Sequence, residues 1–80
     1  MTELQTDFGR VVRHLREARG WSQERLAEYA DLNRGYVGDI ERGKAMPSLA
    51  TLTKLAGAFG VQPSGLLAHF EHQADMPIAS

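Results

Sequence analysis

Residues 22–43 read SQERLAEYADLNRGYVGDIERG, and their spacing predicts two short helices joined by a tight break of about three residues. Ser22 is a good N-cap, because a β-region hydroxyl there can accept from a free first-turn N–H. It opens a helix over about 22–30. Position 25 is Arg, so the reciprocal Glu or Gln of a full capping box is absent. Asp31 and Asn33 are turn and cap residues, and Asp tolerates positive φ better than most side chains. Asn33 then caps a second short helix over about 34–42, ended by Gly43. Two helices joined this closely cross at a steep angle, the geometry of a helix-turn-helix. Ala27 is small enough to sit at the crossing, opposite Val37 and Ile40.

The second of these helices carries two glycines, each costing about 1 kcal/mol relative to Ala in a helix interior. Gly35 and Gly38 admit two readings. They strip the outward face so that the backbone approaches a groove closely, or they relieve crowding between helices. Asp39 and Arg42 stand three apart, a spacing that favours an intrahelical ion pair over readout of cytosine by the carboxylate.

Outward from this core motif, apolar residues recur at Leu4, Phe8, Val11, Val12 and Leu15, which marks an amphipathic first helix. Gly20 is placed to end it in the left-handed conformation. Trp21 is expected to pack at the junction of helices one and two. KAMP (44–47) reads as a loop, since Pro47 disfavours helix at Met46. Ser48 caps a fourth helix with Leu49, Leu52, Leu55, Ala56 and Phe59 on one side, closed by Gly60. VQPSGLLAHF (61–70) reads as a fifth short helix with Pro63 near its first turn. The expected fold is all-α: five short helices in one domain over 1–73, followed by an aperiodic tail over 74–80.

The chain has 80 residues, of which 42% are hydrophobic and 24% charged. That is globular composition, and a domain this small buries only about 60–65% of its unfolded surface, so a second copy would help it. No cysteine is present, which excludes a disulfide framework and thiolate metal sites. No apolar run approaches ~18 residues and no signal-peptide core opens the chain, so a soluble, cytoplasmic protein is expected. The net charge of −1 weighs against nucleic acid. Its distribution weighs the other way. All nine Lys and Arg fall within residues 10–54, whereas Glu3, Asp7, Glu71 and Asp75 lie near the ends. Arg10, Arg13, Arg16 and Arg19 recur every three residues, as a phosphate-facing stripe or a solvated face.

A catalytic set is not visible: there is no glycine-rich phosphate loop, no cysteine nucleophile and no pair of carboxylates suited to a cleft. An enzyme is not expected, nor a cofactor. His69 and His72, with Asp75 beyond, have a spacing at which imidazoles share a metal but lack a third close ligand of good type, so no metal is expected.

Four segments in order carry a resemblance: S-Q-x-x-L-A at 22–27, the turn, I-E-R-G at 40–43 and P-S-L-x-T-L at 47–52. Over roughly residues 8–70 the sequence is similar to the Cro/repressor-type, or XRE-like, helix-turn-helix family with its lambda-repressor-like fold. Within it the chain looks most similar to the controller proteins of restriction–modification systems, alongside phage-type repressors. The resemblance implies that Gln23 grips backbone phosphate at a helix N-terminus, where free N–H groups and the dipole attract an anion. It implies that Arg34 reads a guanine edge, with Asn33, Gly35, Tyr36, Gly38, Asp39 and Arg42 around it, and that Lys44 reaches phosphate. It also implies a structural salt bridge between Arg16 and Glu41.

The sequence departs from the family at Asp31, where a glycine is common, and at Ala45 and Met46, where basic or polar residues are frequent. The implied function is a homodimeric transcriptional regulator on double-stranded DNA with a near-palindromic operator. Leu66, Leu67 and Phe70 are the candidate dimer contact. The alternative is a helix-turn-helix that binds a protein: RNA polymerase, or a toxin-like partner as in antitoxins.

Overall fold

A computed structural model describes residues 2–74, with side chains over 6–68. The elements are α1 (Thr2–Ala18), α2 (Gln23–Ala30), α3 (Arg34–Glu41), α4 (Leu49–Phe59) and α5 (Pro63–Ala74). No strand occurs among the described residues, and none of their helices is long and apolar enough to cross a membrane.

Each inner helix begins on the residue that its sequence marks. Ser22 Oγ accepts from the Arg25 N–H at 3.0 Å, Asn33 Oδ1 from Gly35 N–H at 2.7 Å, and Ser48 Oγ from Thr51 N–H at 3.1 Å. Each such cap satisfies a donor that the helix itself leaves orphaned. The endings share one device. Gly20, Asp31, Gly43 and Gly60 take positive φ at the end of α1 to α4. The next N–H then reaches back five residues: Trp21 to Arg16, Leu32 to Ala27, Lys44 to Asp39 and Val61 to Ala56. In this motif the residue after the left-handed turn usually folds back as an apolar contact. Trp21, Leu32 and Val61 do so against the core. At the end of α3 that residue is Lys44, which is charged and exposed.

The core takes Phe8, Val11 and Val12 from α1, Leu26, Ala27 and Ala30 from α2, and Val37 and Ile40 from α3. Leu52, Leu55, Ala56 and Phe59 from α4 and Leu66 from α5 complete it. Trp21 reaches further than the junction of α1 and α2. Its ring stacks on Phe59 at 6.0 Å between centroids and lies 4.7 Å from Tyr29, so it also ties α4 to the turn.

Two apolar expectations are corrected. Leu49 is 78% exposed: the helical period sets it beside Ala56, but it stands on the first residue of α4, where nothing packs over it. Leu66, expected at a dimer contact, is completely enclosed by its own chain. A terminal helix must first be held to the domain, and this leucine does that.

Ala27 is buried in the same core as Val37 and Ile40, and a second tight contact lies between α1 and α3. A Cβ on Gly9 would strike the Ile40 carbonyl oxygen and lie 2.6 Å from that of Glu41. Thus α1 seats bare backbone on the last turn of α3. The same end of α3 is gripped from the side by Arg16. Its Nε donates to Glu41 Oε2 at 2.7 Å, its Nη2 to Oε1 at 3.0 Å, and its Nη1 to the Trp21 carbonyl at 2.7 Å. Gln23 Nε2 adds a bond to Glu41 Oε1 at 3.0 Å. The Glu41 side chain is 3% exposed and that of Arg16 11%. The hydrogen bonds to Glu41 raise the Arg16 pKa above its ordinary value, against the opposing effect of burial.

Gly9→Ala is expected to lose about 2 kcal/mol or more in urea unfolding, although Ala is the better helix former, because the blocking atoms are backbone. Arg16→Ala should cost about 3 kcal/mol by leaving a buried carboxylate unpaired, and a paired Arg16→Met, Glu41→Leu change should cost less. Equal losses in the single and paired variants would show that the buried charge is not the source.

Candidate nucleic-acid interface

Packing decides which side of α3 is free. Val37, Ile40 and Glu41 face inward and are buried. Tyr36 is half-buried against the core, and its hydroxyl lies 3.4 Å from Thr51 Oγ1 on α4. What remains outward is Arg34 and Gly35, both exposed, then half-buried Asp39 and exposed Arg42, whose side chain covers Gly38. No acidic residue sits in the first turn of α3, so its positive dipole end and Arg34 act together. Eight residues of helix span about 12 Å, close to the ~12 Å width of the major groove.

The charge distribution on this face follows from which cations are already engaged. Arg10 pairs with Asp7 at 3.5 Å and Arg13 with Glu17 at 3.0 Å. Arg16 is locked on Glu41, and Arg19 donates to the Phe59 carbonyl at 2.8 Å. These four arginines, on α1 and just beyond it, therefore each have a partner within the chain. Arg25 lies over Tyr29, Arg42 pairs with Asp39 at 2.8 Å, and Lys54 lies 3.3 Å from the Asp31 carbonyl. Among the described residues, only Arg34 and Lys44 are cations without a partner. They stand at the two ends of α3. Lys44 is there because a charged residue fills the place where the other helices fold an apolar side chain inward.

The remaining expected residues are arranged as follows. Gln23 is half-buried and spends an amide N–H on Glu41, because α2 starts directly above the end of α3. One of its two amide N–H groups is thus engaged within the chain. The Asn33 Oδ1 is occupied as the α3 cap. Gly38, expected at the solvent face, is buried, because the Arg42 guanidinium lies across it. Neither glycine relieves crowding between helices. A Cβ on Gly35 would meet only Asn33 Oδ1, at 3.0 Å, and the three atoms nearest one on Gly38 all belong to the Arg42 side chain.

Away from this face, Leu67 on α5 is 40% exposed. The Phe70, His69 and His72 side chains and all of Asp75 lie outside the described residues. Within those described, no group of His, Cys, Asp or Glu is suited to a metal.

Sequence reasoning missed Gly9. Its only signal was a glycine inside an otherwise well-formed helical stripe, which usually has a packing reason.

Comparison with known proteins agrees with this geometry. Residues 12–66 match the helix-turn-helix family HTH_3. Control protein C.BamHI of Bacillus amyloliquefaciens is 48% identical over 61 residues, covering 75% of each chain. The immunity repressor of Bacillus phage phi105 is 44% identical over 59 residues, 74% of this chain but 41% of the repressor, so the likeness spans only part of that protein. The crystal structure of the restriction–modification controller protein C.AhdI from Aeromonas hydrophila superposes with a TM-score of 0.74 at 45% identity. It covers 78% of this chain and 94% of that one. With its five helices, its turn at 31–33 and its outward α3, the chain belongs to the HTH_3 helix-turn-helix family.

Proposed function

We propose that the chain is a sequence-specific DNA-binding transcriptional regulator of the controller-protein or phage-repressor kind. It acts in the cytoplasm as a homodimer on a near-palindromic operator. The observation that carries this reading is the pair of uncommitted cations, Arg34 and Lys44, at the two ends of a helix whose other face is core. Arg34 suits a guanine edge, where a guanidinium can bond O6 and N7 together. Lys44, a point charge on a flexible stem, suits phosphate. The proteins it resembles support the same reading: C.BamHI is a control protein and the phi105 relative an immunity repressor.

A two-fold axis near the α5 helices would set two α3 helices about 34 Å apart, one turn of the duplex. Among the described residues of α5, Leu67 is the large apolar side chain left exposed for that contact. Phe70, one turn further along, is its companion in the proposal.

Fluorescence anisotropy on duplex DNA tests the reading. The logarithm of affinity should fall linearly with the logarithm of salt concentration. Lys44→Ala should weaken all sequences alike and lower that slope by about 1. Arg34→Ala should relax preference at one position of each half-site by about 1–3 kcal/mol. A salt-independent affinity, or an unaltered preference in Arg34→Ala, would remove α3 from the role. Leu67→Glu, and in parallel Phe70→Glu, should sediment as monomers; dimers persisting in both would place the contact elsewhere.

A further inference from the structure

The outward face of α3 carries few side chains. On the helical period Gly35, Gly38, Asp39 and Arg42 share it, with Arg34 at its leading edge. Two of these positions are bare backbone. Arg42 belongs to the end of the helix by chain order, yet its guanidinium lies a turn back. A Cβ at position 38 would stand 3.0 Å from Arg42 Nη1, 3.4 Å from Nη2 and 3.5 Å from Cζ. The absence of a side chain at Gly38 therefore makes the bed in which the guanidinium lies. Asp39 Oδ1 accepts from Nη2 at 2.8 Å and fixes one edge of the fork. The guanidinium has five N–H donors, and this bond uses one. The side chains of the pair remain 54% and 47% exposed, so the arrangement faces water and not the core.

We propose that Arg42, laid across Gly38 and aimed by Asp39, is a second base-reading fork of this face, one turn behind Arg34. The inference rests on the DNA reading above. Asp39 offsets the charge of Arg42, so this arginine offers a phosphate little net attraction. What it offers is orientation, which base recognition needs and phosphate attraction does not. One helical turn rises about 5.4 Å, and base pairs stack at about 3.4 Å. The two forks thus address different bases of one half-site. In this arrangement Gly38 and Asp39 are positioning residues, and Arg42 alone touches the base.

The test compares variants on duplexes selected from a random pool and on a nonspecific duplex. Arg42→Ala should lose about tenfold of discrimination at one half-site position, keeping the preference assigned to Arg34. Gly38→Ala should lose the same preference by displacing the guanidinium. Its melting temperature should be unchanged or higher, because Ala is the better helix former. Placed in an Arg42→Ala background, it should add nothing. Asp39→Asn should flatten preference at that same position while raising affinity for the nonspecific duplex, an opposition that loss of fold cannot produce. Uniform weakening by Arg42→Ala across all sequences would make it a phosphate contact and overturn the inference. So would a Gly38→Ala effect that persists undiminished without Arg42, which would mark a backbone contact. Failure of the unaltered chain to bind any duplex would overturn the DNA reading itself, and is seen before any variant is made.

Discussion

Glu41 ends the outward helix with a carboxylate almost sealed from water, and the arrangement of the first three helices follows from keeping it satisfied. A buried carboxylate is tolerated only when it is paired and its lone pairs are used. Here α1 supplies Arg16 with two parallel N–H bonds, and α2 supplies Gln23 with a third. Each donor comes from a different element, so the charge cannot be satisfied unless all three are in place. The third arginine bond, to the Trp21 carbonyl, carries the constraint into the connection between α1 and α2. Gly9 then closes the remaining distance, backbone against backbone. Dispersion and apolar burial supply stability without direction. The Glu41 cluster and the Gly9 contact supply the angle at which α3 leaves the body.

That angle is what makes the outward face usable. Val37 and Ile40 hold α3 from behind, Tyr36 is drawn aside to Thr51, and the capping amide of Asn33 fixes where the helix starts. The face left over has little bulk, with glycine at 35 and 38 and long side chains at 34 and 42. It suits a surface that must come close to a second molecule and recognise it with a few extended groups.

Much of this was legible in the chain before any coordinates. Ser22, Asn33 and Ser48 act on donors two or three residues away. Gly20, Asp31 and Gly60 act on the residue they occupy. Local chemistry of that range can be read from letters, and so can the apolar periods of α1 and α2. The family resemblance supplied the pairing of Arg16 with Glu41, which spacing alone does not give. What could not be read depends on where distant elements end. Leu49 and Leu66 have the same chemistry; one overhangs its partners and the other is surrounded by them. Gln23 sits at a helix start, and its bond to the carboxylate at the end of α3 is a contact that spacing does not give. Gly9 lies among good helix formers, and only the arrival of α3 against it shows why no larger residue is accommodated.

The engagement of nearly every cation inside the chain bears on how such a protein would travel through a genome. Attraction to random sequence scales with the counterions a ligand sets free, and among the described residues two cations stand without a partner in the chain. Dwell time on irrelevant stretches of chromosome is then short, and few copies are tied up there. A small number of molecules remains available to find the right address, and that address must be held by shape and matched bonds more than by charge. The net charge of −1, at first sight a poor fit to a polyanion, becomes a means of keeping the search brief.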